Sequence, residues 1–164
     1  MINTDYNSIS PSSTVTLREI TAKTVLNICA LSNTLTEKQR HMVAPNAVSI
    51  AQAHFTSQAW FRAIYADETP VGFVMLHHGV NFDDGLDVPG CFLWRFMIAN
   101  PFQKMGFGSQ ALKLIIVHVK SKGETALLTS CHEGEGGPEE FYRRFGFERD
   151  GDTYGDEIGL RLFL

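Results

Sequence analysis

The feature that most constrains this chain is an apolar run, "CFLWRFMIA" at 91–99, that passes at once into "NPFQKMGFGSQAL" at 100–112. Such a run is expected to be a central strand buried on both faces, which requires neighbouring strands and covering layers. The helix that follows, from about Gly106 to Lys122, repeats Leu112, Ile115, Ile116 and Val119 at helical spacing, so one of its faces is buried. Between strand and helix lies a small turn rich in donors. Backbone N–H groups at a helix start have no internal acceptor and the dipole is positive there, so the turn is a ready anion site. Gly106 and Gly108 admit a phosphate without a Cβ in the way, while Gln103 offers an amide and Lys104 a charge. The dipole alone contributes roughly 0.3–1 kcal/mol, so several donors must act together. The plain alternative is a tight turn without a ligand. The turn lacks the Gly-Lys-Ser/Thr ending of a Walker loop, and Ala111 breaks the Gly-x-Gly-x-x-Gly of a dinucleotide fold.

The remaining segments build around that centre. Residues 14–20 alternate as a half-buried strand, and 23–33 and 46–58 read as helices, the second with Asn46 as its N-cap. The stretch 34–45 shows no period. Two strands, 59–67 and 71–79, flank a turn at Glu68-Thr69-Pro70, and 81–90 is a polar loop carrying Asp83, Asp84 and Asp87. A strand at 125–131 and a short helix, "PEEFYRRF", closed by Gly146, follow the long helix. Strands at about 147–151 and 157–164 finish the chain. This order predicts one α/β domain over 14–164, a mixed sheet covered by helices, behind a flexible leader at 1–13.

Net charge is −4 and the 14 Lys and Arg are scattered, which argues against a nucleic-acid surface. No run approaches a membrane span and no signal layout opens the chain. Cys29, Cys91 and Cys131 are far apart and form no zinc spacing, so no metal is expected and a cytoplasmic location is the expectation.

"QKMGFG" ahead of a helix, followed some 40 residues on by "EEFYRRFGF", resembles the two signatures of the GNAT superfamily of N-acetyltransferases. The first matches that family's Gln/Arg-x-x-Gly-x-Gly/Ala pattern through Gln103, Gly106 and Gly108. The resemblance covers residues 70–164 well and the N-terminal part only by its order of elements. "LWRFMIANPFQ" to "FYRRFGF" further resembles the bacterial diamine (spermine/spermidine) acetyltransferase subgroup. The resemblance implies a mostly antiparallel sheet with a splayed central strand pair, and acetyl-CoA as co-substrate. It places the pyrophosphate at Gln103, Lys104, Met105, Gly106, Phe107, Gly108 and Ser109, and the pantetheine arm along the backbone of Met97, Ile98 and Ala99. It also implies a homodimer and transfer to the primary amine of a small molecule, with a polyamine as the finer expectation.

Acetylating an amine poses two proton problems. An alkylamine of pKa about 10.4 is neutral in about one molecule in 2,500 at pH 7, a cost of about 4.6 kcal/mol. The leaving thiolate also benefits from a proton. The family's acid tyrosine corresponds to Tyr142, whose plain alternative is core packing beside Phe141, Phe145 and Phe147. Many relatives carry a carboxylate on the central strand, where this chain has Arg95, and an Asn-x-x-Ala before the tyrosine, where it has Glu135-Gly136-Gly137-Pro138. The base is therefore open among His132, Glu133, and His77 or His78, which must point to opposite sides of their strand. Asp83, Asp84, His77 and Trp94 are candidate acceptor contacts. Cys131 as a nucleophile is an alternative to direct attack, though a buried Cys is commoner. A binding module that has lost catalysis, and an enzyme acting on a protein N-terminus or lysine, are the rival functions.

Overall fold

Every strand pairing in the sheet but one is antiparallel, and the exception opens the molecule. The structure is a computed structural model and describes residues 9–80, 90–135 and 137–164. Asp83, Asp84, Asp87 and Gly136 lie outside the described residues, as does most of the expected leader. The strands are β1 (Val15–Arg18), β2 (Ala59–Ala66), β3 (Thr69–Val80), β4 (Gly90–Ile98), β5 (Ala126–His132), β6 (Glu148–Tyr154) and β7 (Glu157–Phe163). The helices are α1 (Val25–Ala30), α2 (Glu37–Arg40), α3 (Asn46–His54), α4 (Phe107–Ser121) and α5 (Glu139–Arg143). One seven-stranded sheet runs in the order β1-β2-β3-β4-β5-β7-β6. Only β4 and β5 are parallel, and their pairing covers just Cys91–Leu93 against Leu127–Thr129. Beyond Leu93 the two strands part.

That parting corrects the expectation for the central strand. β4 is buried at Cys91, Leu93 and Met97, but Phe92, Trp94, Arg95, Phe96 and Ile98 are only partly covered. Its continuous apolar pattern serves a cleft wall as well as a core. The mixed fold and its splayed central pair are otherwise as expected, with element ends shifted by a few residues.

α1 packs on β3, α3 on β2, and α4 on β1 and β4. The core gathers Ile28, Phe73, Met75, Leu112, Ile115 and Phe147, all essentially inaccessible. Phe107, the first residue of α4, is also buried and anchors the helix start. Asn46 is not the cap of α3. It lies inside the helix, fully buried, donates its amide to the Ile28 carbonyl at 2.8 Å and meets Met97 Sδ at 3.8 Å. α2 forms in the segment without a period because Thr36 and Gln39 make a capping box, each side chain bonding the other's backbone N–H. Among the described residues no helix is long and apolar enough to cross a membrane.

Gly72 of β3 faces Ile98 across the sheet, where a Cβ would stand 2.3 Å from the Met97 carbonyl oxygen and 2.9 Å from Ile98 Cδ1. Overpacking of this kind costs about 1–3 kcal/mol. Gly72→Ala should lower the urea midpoint accordingly, and an unchanged midpoint would contradict the close approach of β3 to β4.

Candidate active site

The turn after β4 is wound tightly by two residues in the left-handed region, Lys104 (φ 63°) and Gly106 (φ 85°). For lysine this conformation is strained, a condition that persists only where surrounding structure enforces it. Gln103 helps to enforce it: its amide donates to the Ile98 carbonyl at 2.9 Å, and its oxygen accepts from Gln39 of α2 at 2.9 Å. The Gln103 side chain thus holds the turn together, with one of its two amide N–H donors spent on the Ile98 carbonyl. The first bond of α4 runs from Gln110 N–H to the Gly106 carbonyl at 3.1 Å. The N–H groups of Phe107, Gly108 and Ser109 therefore have no acceptor within the helix, and Gly106 has no side chain to cap them. A Cβ at Gly106 would meet nothing within 4 Å, so space for a ligand is open there; one at Gly108 would make only ordinary contact with Ile98 and Phe141. Exposed Lys104 adds a cation, and Met105 is tucked against the core.

Strand alternation sorts the side chains of β4 onto two faces. Phe96 stacks on Phe141 of α5 at 6.1 Å, and Ile98 reaches toward Gly108 and Phe141. Met97 and Arg95 turn the other way, to Asn46 and Gln52 of α3. The backbone alternates too. Ala99 N–H donates to Val71 of β3 at 2.8 Å, so Ile98 and Phe96 direct their backbone groups to the side that β5 has left. Of the three residues expected to pair with an extended ligand, Ile98 presents its N–H to the cleft, whereas Ala99 is committed to β3 and Met97 shares its direction.

Between β4 and β5 lies a cleft of about 1130 Å³. On its α5 face sits Tyr142, 6% exposed, edge-on to Phe141 and packed on Phe147 with ring centroids 5.3 Å away in each case. Burial pushes its phenol well above the ordinary range, against the opposing pull of a hydrogen bond with the Thr129 side chain. Thr129 stands where the ladder ends and donates its hydroxyl to the Leu93 carbonyl at 3.1 Å. α5 is pinned by Arg149 of β6, whose guanidinium donates to both Glu139 oxygens at 2.7 and 2.8 Å.

The α3 face carries His77, Trp94, Arg95, His132 and Glu157. The register of β3 against β4 shifts between Met75–Arg95 and Leu76–Leu93, leaving Trp94 as an extra residue. This bulge lets consecutive Trp94 and Arg95 share a face, with the guanidinium 5.2 Å from the indole centroid and His77 edge-on to Trp94 at 6.1 Å. His132 and Glu157 are cross-strand partners, with His132 Nε2 3.5 Å from Glu157 Oε1 and Nδ1 3.5 Å from Asp156. Ser130 donates to the other Glu157 oxygen.

The structure therefore brings together Tyr142, His132, His77, Trp94, Ile98 and the Lys104–Ser109 turn. Glu133 is elsewhere: it is largely exposed and ion-paired with Arg149 at 2.8 Å. His78 points away from His77, to His118 of α4 and Glu124, as strand alternation requires. Asp83 and Asp84 are outside the described residues. Sequence reasoning missed Glu157, which opens β7 and belongs to no motif; its pairing with His132 is the signal, and that register is tertiary.

The parallel pair thus opens into a cleft with an uncapped helix start at its rim and a buried tyrosine on its wall. The profile of the Acetyltransferase (GNAT) family matches residues 28–147, and the chain belongs to that family. No curated protein sequence matches. Among solved structures, an acetyltransferase from Thermus thermophilus superposes with a TM-score of 0.73 at 15% identity, covering 92% of this chain and 97% of that one. The PaiA N-acetyltransferase from Thermoplasma acidophilum, in complex with coenzyme A, gives 0.64 at 15% identity over 92% and 99%. A GNAT family acetyltransferase from Elizabethkingia anophelis with acetyl-CoA bound gives 0.63 at 19% identity over 92% and 98%. These likenesses concern the fold.

Burial raises the Cys131 thiol to about 11, with Glu139 and Glu157 adding to the effect, and raises Cys91 to about 12. At pH 8 about one Cys131 in a thousand is thiolate. A small alkylating reagent at that pH should label Cys29, which is partly exposed, well before the other two. Rapid labelling of Cys131 in folded protein would contradict its assigned burial and reopen a nucleophilic role.

Proposed function

We propose that the protein is an acetyl-CoA-dependent N-acetyltransferase that acts on the primary amine of a small molecule by direct attack in a ternary complex. The observation that carries this reading is the parted β4–β5 pair with a proton donor on one face and a carboxylate–imidazole pair on the other. Acetyl-CoA supplies an activated acyl group and a thiolate leaving group. The pyrophosphate fits the N–H groups of Phe107, Gly108 and Ser109 with the charge of Lys104 beside them, because that turn holds unpaired donors and open space. The pantetheine amides fit the free edge of Phe96 and Ile98, which lacks a strand partner. Much of the rate then comes from holding the two reactants side by side.

Tyr142 is assigned as the acid for the departing sulfur. Its raised pKa keeps the proton on oxygen throughout the neutral and mildly alkaline range, so the donor is always loaded. Glu157, with His132 beside it, is assigned the base role on the amine side; both line the cleft on the face opposite Tyr142. Glu133 is not retained as base because it faces Arg149. Cys131 is not retained as nucleophile because its thiolate is suppressed. A polyamine acceptor, implied by the resemblance to the diamine acetyltransferase subgroup and favoured by Asp83 and Asp84, which lie outside the described residues, is kept as one member of the substrate panel.

Tyr142→Phe should lower kcat by about 10²-fold or more while leaving CoA affinity within about twofold, as expected for loss of a general acid. Because the phenol stays protonated, the loss should be similar from about pH 6 to about pH 9. Thiol release and calorimetry with CoA measure the two quantities. A variant as active as wild type sinks the acid assignment, and a wild type that binds CoA but acetylates no amine supports a sensor. Gly106→Ala forces a Cβ into the left-handed region and should weaken CoA binding about tenfold with little loss of fold. Unchanged affinity would remove the pyrophosphate from this turn.

A further inference from the structure

We propose, resting on the acetyl-transfer reading above, that the acceptor is an amine that also carries a carboxylate, and that Arg95 is the residue that takes the carboxylate. Three observations lead there. Arg95 stays in register with Met75 on the α3 face, and the bulge at Trp94 brings the indole onto that same face beside it. Such insertions typically redirect a side chain next to a site. The chain thus uses a sheet irregularity to set an indole against a guanidinium on the cleft wall.

The second observation is that this guanidinium is poorly satisfied. Arg95 Nη1 donates to the Trp94 carbonyl at 2.9 Å, Nη2 reaches Gln52 Oε1 only at 3.3 Å, and buried Nε has no partner among the described residues. No described carboxylate forms an ion pair with it, although buried donors are nearly always paired. Nε and Nη2 share one edge of the planar group, the fork that accepts a carboxylate through two parallel bonds. Arg95 lines the cleft, so a carboxylate bound there competes with the long Gln52 contact for that edge.

The third is the placement of opposite charge. Glu157 lies on the same face, acts on Arg95 electrostatically, and is held off it by its own bond from Ser130 and by His132. A cation and an anion kept apart on one wall complement a zwitterion, with its ammonium at Glu157 and His132 and its carboxylate at Arg95. A polyamine would bring a second ammonium against Arg95, at a Coulombic cost in a half-buried site.

The test compares wild type with Arg95→Gln and Arg95→Lys, using a panel of amino acids, their carboxamides and spermidine. For wild type, the best amino acid should exceed its carboxamide in kcat/KM by about 10- to 100-fold, the range for a charge-assisted bidentate contact. In R95Q that ratio should collapse toward one through KM rather than kcat, and R95K should restore part of it. Calorimetric titration of the same amino acid into the CoA-bound protein should show the same loss in R95Q. CoA binding and the thermal midpoint of each variant report folding. If CoA binds and spermidine or the carboxamides are acetylated as well as the amino acids, the carboxylate site is overturned while the acetyl-transfer reading stands. If R95Q keeps the wild-type ratio, Arg95 is not the contact. Failure of wild type to bind CoA overturns the broader reading itself.

Discussion

Everything in this molecule follows from the point where β4 and β5 stop pairing, just after Leu93 and Thr129. Two strands that part expose backbone donors and acceptors that would be costly to leave bare inside a protein. The chain satisfies some of them with side chains. Thr129 donates to the Leu93 carbonyl at the end of the ladder, and Gln103 donates to the Ile98 carbonyl at its mouth. What remains is a short strand edge facing open space, with the bare start of α4 beyond it. That surface is the one on which the proposed binding of an extended, amide-bearing arm ending in a diphosphate rests.

The division of labour across the cleft comes from the two-residue period of a strand. Phe96 and Ile98 face α5, where burial keeps the Tyr142 proton in place. Arg95 and Met97 face α3, on the side where His132 and Glu157 meet. The Tyr142 phenol and the His132–Glu157 pair thereby lie on opposite faces of the sheet. The bulge at Trp94 is what puts Trp94 and Arg95 on one side together. Arg149, by gripping Glu139, holds the short α5 in the one place from which Tyr142 reaches the cleft.

Much of this was legible in the sequence because it is local. A strand, a glycine turn and an amphipathic helix in succession announce an anion site, and Tyr142 sits in a motif of adjacent residues. The rest depends on which strands meet. Whether His132 or Glu133 faces the cleft is decided by the register of β5 against β7, which pairs His132 with Glu157 and leaves Glu133 to Arg149. The place of Gln103 in the turn was readable, but its bond from Gln39, 64 residues away, is tertiary. Asn46 looked like a cap because it follows proline, but burial against Ile28 and Met97 is a tertiary use. The apolar run of β4 suggested a strand covered on both faces, since composition does not distinguish a core from a cleft wall. The Thr36-x-x-Gln39 box of α2 was readable and was hidden only by the absence of a hydrophobic period around it.

The central claim is that CoA lies in the opening between β4 and β5 with its diphosphate at the start of α4. The most direct measurement is the amide spectrum of isotopically labelled protein during a CoA titration. The amides of Phe107, Gly108 and Ser109 should move furthest, followed by those of Phe96 and Ile98, and their shifts should saturate together. Movement confined to other amides, with these five unchanged at saturating CoA, would contradict the account.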